Sequence, residues 1–382
     1  MSAAASAEAA VGRPVAELET PAVVVDLGAL ERNVARASAY AREHGLALWP
    51  HLKTHKTVAV AERQRAAGAA GFTVAKTTEA ERFAPHRLGP LLLHYPVFGA
   101  AKWERTAAVA GEAPLTVALD SLAAAAGLDR ALRARGTSAE LLIELDVGMR
   151  RTGVADTAAA LALAESVERF GGVAGGAASA GGLRVAGISC YPGHVRGTLE
   201  QARAGLAEVD ARLRAARDAL LAAGIRCDRV SGGSTASLFL SHETCMTEVR
   251  AGNYVFLDRS EARGAWTAED AALRVHATVV STSVPGRAVL DAGSKTLGEA
   301  GPPAGLTGWG TVAGAPGAEI VALNEEHAVC ELAGASGWRV GDRVTVVPNH
   351  VCTCVNLHDR LYAARDGVVE EVWPLVARGA VR

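Results

Sequence analysis

The chain has 382 residues, a formal net charge of −2 and a hydrophobic content of 49%. A chain of this length exceeds a single typical hydrophobic core, so two domains are expected. The balanced charge, without a long basic run, gives no indication of a nucleic-acid or membrane-surface partner.

The N-terminal segment and the cysteines both indicate a cytoplasmic protein. Residues 1–19 are predicted to be a disordered tail, because Met1–Gly12 is rich in alanine and has neither the basic start nor the apolar run of a signal peptide. No apolar run reaches membrane-spanning length. The six cysteines are scattered apart from one Cys-x-Cys, which does not suggest a disulfide framework and fits a reducing cytosol.

Strand-like and helical segments alternate through the first two thirds of the chain. Eight apolar runs are predicted to be strands: Leu46–Trp49, Gly71–Ala75, Leu91–His94, Leu115–Leu119, Leu141–Leu145, Val185–Cys190, Arg229–Ser231 and Met246–Val249. Helical patterns separate them, and the runs are apolar enough to be buried on both faces, which indicates a parallel sheet. Eight such units predict an α/β fold with a closed (β/α)8 TIM-like barrel over residues 20–257. A doubly wound open sheet is the alternative.

Beyond about Asp258 the pattern changes to short strands separated by Gly/Pro turns. The predicted strands are Leu273–Val280, Ala288–Asp291, Glu319–Leu323, Ala328–Leu332, Arg343–Val347 and Val368–Trp373. Asp366-Gly367, between two such runs, is a hairpin signal. Residues 258–382 are therefore predicted to form an antiparallel β domain, which the strand-like run Ala22–Val25 could join.

In a β/α barrel the active site lies where the strands end, and the first predicted barrel strand ends in Pro50-His51-Leu52-Lys53-Thr54-His55-Lys56. Burial against apolar walls disfavours the charged form of a lysine, which makes its amine nucleophilic. Such an amine suits a Schiff base with an aldehyde cofactor. The alternative is a solvated basic turn.

The loops after strands seven and eight of such a barrel usually bind phosphate. Here they contain Gly232-Gly233-Ser234-Thr235 and Gly252-Asn253-Tyr254. Glycines let backbone N–H groups approach an anion closely, and the hydroxyl and amide groups add donors. The alternative for the first motif is a turn with a helix N-cap. The pair of motifs favours phosphate, and a phosphate loop with an imine-forming lysine points to pyridoxal phosphate.

At this point the chain resembles the D-threonine aldolase/D-serine dehydratase family, fold-type III pyridoxal phosphate enzymes related to alanine racemase. The resemblance runs from about Thr20 to the C-terminus. It is carried by Pro-His-x-Lys-Thr-His-Lys, Asp-x-Gly-x-x-Arg-x-Gly-Val, Gly-Gly-Ser-Thr, Arg-Ala-Gly-Asn-Tyr-Val-Phe and Pro-Asn-His-x-Cys. It implies a barrel of the alanine racemase N-terminal type, pyridoxal 5'-phosphate as cofactor and a homodimer.

The resemblance also implies roles for individual residues. Lys53 would be the Schiff-base lysine, with Lys56 behind it or on the surface. Arg151 would reach the phenolic oxygen of the cofactor and Tyr191 would face its ring, although Arg151 could instead pair with Asp146 and Tyr191 could be packing. Arg250 matches the arginine at the pyridine nitrogen in alanine racemase. The residues expected around the phosphate are Gly233, Ser234, Thr235, Gly252, Asn253 and Tyr254.

A metal motif, Pro348-Asn349-His350-Val351-Cys352, lies after a predicted strand of the second domain. His350 and Cys352 alternate along a segment expected to be extended, so both side chains would point the same way. An imidazole and a thiolate suit zinc, with manganese or magnesium as alternatives, and two protein ligands leave positions open for substrate. Cys354 could be a third ligand or a bystander. His327 is a further histidine that the resemblance places near the substrate.

The resemblance implies a lyase that acts on D-β-hydroxy-α-amino acids with pyridoxal phosphate and a divalent metal. Dehydration of a substrate such as D-serine or D-3-hydroxyaspartate to a 2-oxo acid and ammonia is favoured. The reason is that the dehydratase branch carries His-x-Cys, whereas the aldolase branch commonly has aspartate as second ligand. Lys53 or a neighbour would remove the α-proton. In the aldolase alternative, His51 or a metal-activated group would deprotonate the β-hydroxyl. A racemase and a non-catalytic cofactor-binding protein are further alternatives.

Overall fold

A computed structural model describes residues 9–171, 181–262, 265–333 and 337–382. The described residues form two compact units. The first, here called the barrel unit, lies within Arg36–Lys53, Val60–Gly252 and Ala380–Arg382; the second, the β unit, lies within Met1–Ala35, Thr54–Ala59 and Asn253–Gly379. The domain boundaries at residues 20–257 and 258–382 stay a prediction from the sequence.

The strands are β1 Ala22–Asp26, β2 Ala47–Leu48, β3 Phe72–Val74, β4 Leu91–Leu93, β5 Leu115–Leu119, β6 Ser138–Glu144, β7 Gly182–Ser189, β8 Arg229–Gly232, β9 Glu248–Val249, β10 Leu273–Ser281, β11 Arg287–Leu290, β12 Gly310–Val312, β13 Ala318–Leu323, β14 Ala328–Leu332, β15 Arg343–Pro348, β16 Arg360–Arg365 and β17 Val368–Pro374. The helices are α1 Leu27–Glu43, α2 Val58–Ala66, α3 Thr77–Phe83, α4 Ala100–Glu112, α5 Leu122–Arg135, α6 Thr157–Glu168, α7 Leu199–Ala222, α8 Ser294–Leu297 and α9 Val351–Val355. No helix in the described parts of the chain has the length and apolar character needed to cross a membrane.

The barrel unit contains eight parallel strands in the order β2-β9-β8-β7-β6-β5-β4-β3. Backbone hydrogen bonds from Ala70 N to Leu48 O (2.9 Å) and from Thr73 N to Pro50 O (2.8 Å) join β2 to β3, so the sheet closes on itself. All residues of β3, β4 and β5 are buried, as expected for strands covered on both faces. The prediction of an eight-stranded parallel barrel is confirmed.

The helix α7 shows how local sequence sets the elements around the barrel. Thr198 and Gln201 form a capping box, in which each side chain accepts a hydrogen bond from the backbone N–H of the other residue. Its buried residues recur every three or four positions, at Ala202, Leu206, Val209, Leu213, Ala216 and Leu220. This spacing places one apolar stripe along the helix and packs it inward.

A cluster of charged side chains lies where several barrel strands begin. Arg229, the first residue of β8, donates from Nε to Glu248 Oε2 (2.9 Å) and from Nη1 to Glu140 Oε2 (2.8 Å). Its guanidinium also lies 4.6 Å from the ring centroid of Trp49. These contacts fill the amino-terminal end of the strands, so the ionisable groups at the opposite end are the candidates for chemistry.

The β unit contains one nine-stranded sheet in the order β11-β14-β13-β12-β15-β10-β1-β16-β17, in which β11 also pairs with β10. Strand β1 pairs antiparallel with β10 and parallel with β16, and the other pairs are antiparallel. Along β10, buried Leu273, Val275, Ala277 and Val279 alternate with more exposed residues. The predicted antiparallel β domain is confirmed, and the strand at Ala22 belongs to its sheet.

The N-terminal segment differs from the predicted disordered tail over residues 9–19. Ala10, Val15 and Leu18 are buried in one apolar cluster with Val24 and Val369. The backbone N–H of Val15 also donates to Gly367 O at 2.8 Å. The apolar residues that anchor this segment have neither a helical nor a strand period, so no sequence pattern indicated their burial. Residues 1–8 lie outside the described residues.

Candidate active site

Lys53 lies on the turn after β2 in the barrel unit. His51, just before it, is buried, and its N–H donates to Ala251 O at 3.1 Å. The backbone N–H of Lys53 points to His51 Nδ1 at 3.4 Å, a weak contact in which Nδ1 accepts. His51 thus supports the turn that presents Lys53.

Lys56 is buried, and its amine is engaged in a hydrogen bond within the β unit. It is 5% exposed, adopts a φ of 51° and donates from Nζ to Asn356 Oδ1 at 2.7 Å in the β unit. Its carbonyl accepts from Ala377 N at 3.3 Å. A surface position for Lys56 is therefore wrong, and its amine is held as a structural donor.

Arg250, directly after β9, is the centre of a buried hydrogen-bond chain in the barrel unit. Its guanidinium donates to Ser231 Oγ and to Cys190 O (2.5 Å), and Nη2 lies 2.9 Å from His94 Nε2. His94 Nε2 lies 2.8 Å from Glu144 Oε2. One ring nitrogen carries at most one proton, and a carboxylate can only accept. The proton on Nε2 is therefore donated to Glu144.

The charges in this chain of side chains result from its burial. Burial lowers the pKa of His94, and the nearby charges of Arg250 and Lys53 lower it further against the opposing effect of Glu144. Burial alone would raise the pKa of Glu144, but His94, Arg250 and the Ser189 hydroxyl outweigh burial and lower it. Near Lys53 this series of side chains therefore consists of a charged Arg250, a neutral His94 and an ionised Glu144.

His94 and Glu144 were not among the predicted site residues, although the sequence contains a signal for them. Both lie at the ends of apolar strand runs, and ionisable residues inside such runs need a buried partner. They were predicted to be strand residues, whereas the candidates for chemistry were sought only in the loops after the strands.

Arg151 and Tyr191 are in contact with each other, and their roles at the cofactor stay predictions. The Arg151 guanidinium lies 4.6 Å from the ring centroid of Tyr191, a cation–π contact. Asp146, the alternative partner of Arg151, instead accepts from Gly148 N at 3.0 Å and Arg150 N at 2.9 Å. A Cβ on Gly193 would collide with the Tyr191 ring, so this glycine makes room for the tyrosine.

The loop after β8 combines a left-handed glycine with buried hydroxyl residues. Gly233 has a φ of +82°, a left-handed conformation that glycine adopts without strain. Ser234 and Thr235 are buried, and the Ser234 hydroxyl accepts from Ser237 N at 3.2 Å. Successive N–H groups in such a turn, with hydroxyls beside them, fit a phosphate. Its binding there stays a prediction.

The other expected phosphate residues lie after β9. Gly252 is buried at the end of the barrel unit's main segment. Asn253 and Tyr254 begin a short 3₁₀ turn of the β unit and are also buried. Asn253 donates from Nδ2 to Asp258 Oδ2 at 2.7 Å, so this N–H is committed to a carboxylate. A phosphate role for these three residues stays a prediction.

The metal motif has a different backbone from the predicted one. Strand β15 ends at Pro348, His350 is extended, and Cys352 lies in the helix α9. The prediction of an extended His350–Cys352 segment is wrong, because the chain turns into a helix after His350. The Thr353 hydroxyl donates to His350 O at 3.0 Å and stabilises this first turn.

His350 and Cys352 nevertheless meet. Burial alone would lower the pKa of His350, but Cys352 and Asp258 outweigh burial and raise that pKa to about 11. His350 Nδ1 lies 3.0 Å from Asp258 Oδ2, and Cys352 Sγ lies 3.4 Å from the Thr54 hydroxyl. An imidazole and a thiol brought together in this way form a donor pair that suits zinc.

Cys354 and His327 do not join this pair. Cys354 is fully buried and its Sγ donates to Thr296 O at 3.2 Å, while burial raises the pKa of its thiol to about 12. His327 is exposed. Within the described ranges, no group of three or more His, Cys, Asp or Glu could hold a metal ion. A metal role for His350 and Cys352 stays a prediction.

Known proteins match the chain over nearly its full length. Residues 25–260 match the alanine racemase N-terminal domain, and residues 272–364 match the putative serine dehydratase domain. A D-threonine aldolase from Arthrobacter sp is 36% identical, over 97% of this chain and 96% of the relative. A D-threo-3-hydroxyaspartate dehydratase from Delftia sp. is 35% identical, over 88% of this chain and 91% of the relative.

Solved structures show the same relationship. The crystal structure of a D-threonine aldolase from Filomicrobium marinum superposes with a TM-score of 0.87 at 31% identity, covering 97% of this chain and 99% of that one. A cysteine-to-alanine variant of a D-threo-3-hydroxyaspartate dehydratase, in a metal-free form, gives a TM-score of 0.83 at 32% identity, covering 95% and 98%.

Proposed function

The chain belongs to the D-threonine aldolase and D-serine dehydratase family, and from this membership we propose that it is a pyridoxal phosphate- and metal-dependent lyase of D-β-hydroxy-α-amino acids. We propose dehydration to a 2-oxo acid and ammonia as its reaction. The observation that carries this choice is the thiol of Cys352 beside the His350 imidazole.

The residues of the barrel unit fit the cofactor. Lys53 would bind its aldehyde, Arg151 its phenolic oxygen, Arg250 its pyridine nitrogen, and the loop from Gly233 its phosphate. Bound pyridoxal phosphate supplies an electron sink for the α-carbon of the substrate. Arg250 donates to Ser231 Oγ and Cys190 O, and an arginine does not give up a proton at neutral pH. It would therefore donate to the pyridine nitrogen and leave that nitrogen unprotonated, which makes the ring a weaker sink.

The residues of the β unit fit a divalent metal, with zinc first and manganese or magnesium as alternatives. Bound by His350 and Cys352, the ion supplies a Lewis acid for the β-hydroxyl of the substrate. In the proposed dehydration Lys53 Nζ takes the α-proton and the β-hydroxyl leaves as hydroxide. The released enamine takes up one water, loses ammonia and becomes the 2-oxo acid.

Retro-aldol cleavage to glycine and an aldehyde is the second candidate. The D-threonine aldolase relative at 36% identity favours it. That reaction needs a base for the β-hydroxyl proton. Buried His51, two positions before Lys53, is the candidate for this base.

Product analysis tests the proposal. The purified protein, loaded with pyridoxal phosphate and zinc, is incubated with D-threonine, D-serine and D-3-hydroxyaspartate, with and without chelator. We expect the formation of 2-oxo acid and ammonia, and we expect chelator, K53A and C352A each to abolish it. Glycine and aldehyde in place of these products would move the chain to the aldolase alternative. Absence of turnover with all three amino acids would overturn the substrate class. The homodimer and the cytoplasmic location stay predictions.

A further inference from the structure

Asp258 is a fully buried carboxylate of the β unit that accepts hydrogen bonds on both oxygens. Oδ1 accepts from Ser260 N (2.9 Å), Ser260 Oγ (2.6 Å) and Glu261 N (3.1 Å). An acidic side chain with no exposed surface requires such compensation, because an unpaired buried charge is strongly unfavourable. The donors to Oδ1 are the next residues of the same loop, so these contacts stabilise the conformation of the loop.

The other oxygen of Asp258 reaches the metal motif. Oδ2 accepts from Val351 N at 2.9 Å and from Asn253 Nδ2 at 2.7 Å, and it lies 3.0 Å from His350 Nδ1. Since the carboxylate can only accept, the Nδ1 proton of His350 is donated to it. The lone pair of a neutral His350 is then on Nε2, the nitrogen available for a metal ion.

The loop that carries Asp258 is fixed to the segment that carries His350. Arg259 N donates to Pro348 O at 3.3 Å, and Arg259 Nη1 donates to Asn349 Oδ1 at 2.7 Å. Asn349 in turn donates from Nδ2 to Ala300 O at 3.0 Å. The segments that carry the carboxylate and the imidazole are therefore joined by hydrogen bonds besides the contact between Asp258 and His350.

We infer that Asp258 is a positioning residue that orients His350 and fixes its tautomer so that Nε2 binds the divalent metal. The inference rests on the proposed function, because it assumes that His350 is a ligand. Metal-bound histidines commonly donate their other ring N–H to a carboxylate, and loss of such a partner weakens metal affinity about 10–100-fold. Asp258 lies 92 positions before His350 in the sequence, so no local motif reveals the pair.

The inference predicts a specific loss of zinc affinity. Zinc dissociation constants are measured by competition with a chromophoric chelator for the wild-type protein, D258N and S260A. D258N replaces the carboxylate with a neutral amide of the same size, and a zinc affinity about 10–100-fold weaker is expected. S260A removes one contact to Oδ1 and leaves the His350 contact intact, so it is the matched control and should bind zinc as the wild type does.

A second measurement decides the question if D258N does not fold. In the zinc-loaded wild-type protein with ¹⁵N-labelled histidine, the inference predicts that His350 carries its proton on Nδ1 and coordinates through Nε2. Coordination through Nδ1, or equal zinc affinities for wild type and D258N, would overturn the role of Asp258 and leave the proposed function standing. Zinc binding that does not depend on His350 would contradict both the role of Asp258 and the proposed function.

Discussion

The substitution E144Q tests whether the buried chain of Arg250, His94 and Glu144 is held by charge. Glutamine keeps the shape of the side chain and removes the negative charge. Arg250, which is 5% exposed, then lacks the anion that balances it through His94. Removing one partner of a buried ion pair costs about 3–5 kcal/mol. Because Arg250 keeps Ser231 and Cys190 O, the lower end, about 3 kcal/mol, is expected.

The assay is denaturant unfolding of the cofactor-free protein, in which the midpoint shift gives the change in free energy of unfolding. E243Q is the matched control, because Glu243 forms an exposed pair with Arg203 and should leave the midpoint where it is. The double variant E144Q/H94Q should cost less than the sum of the single variants, since both interrupt one chain. An E144Q midpoint equal to that of the wild type would refute the reasoning.

Three further predictions concern a histidine and two helix glycines. Burial, with Arg343 and Arg274 nearby, lowers the pKa of His276 to about 4, so the unfolded chain binds this proton at a higher pH than the folded protein does. The free energy of unfolding should therefore fall as the pH drops from the ordinary pKa of 6.5 to 4, by at most about 3 kcal/mol and by less because the ring is partly exposed. In acid-unfolding titrations, H276Q should remove this part of the pH dependence. A Cβ on Gly127 of α5 would collide with the Trp103 ring, so G127A should lower the free energy of unfolding by about 1–3 kcal/mol. G111A of α4, where the Cβ would meet only a methyl group at 3.5 Å, should be neutral or stabilising in the same denaturation assay.

The sequence predicted the features that depend on repeated patterns. Runs such as Leu91–His94 and Leu115–Leu119 are largely apolar, as is typical of strands that are covered on both faces. The short strand-like runs separated by Gly/Pro turns beyond Asp258 likewise predicted the antiparallel β domain. The position of Lys53 after a barrel strand came from the same reasoning.

The features that the sequence did not predict depend on tertiary contacts. The segment from His350 to Cys352 was predicted to be extended, whereas Asp258 and the Thr353 hydroxyl stabilise a helical turn there. The partners Glu144 and Asp258 lie 50 and 92 positions from the histidines that they contact. Separations of this length match no helix or strand repeat, so neither pair can be recognised from the sequence.

Lys53 is the residue on which the proposed chemistry depends most directly, because it would carry the cofactor. Borohydride reduction of the pyridoxal phosphate-loaded protein, followed by peptide mass mapping, fixes the cofactor to the lysine that holds it. We expect the label on Lys53 alone and its loss in K53A, with K56A labelled as the wild type is. A label on Lys56 or on any other lysine in place of Lys53, or no label at all, would contradict the proposed role of Lys53.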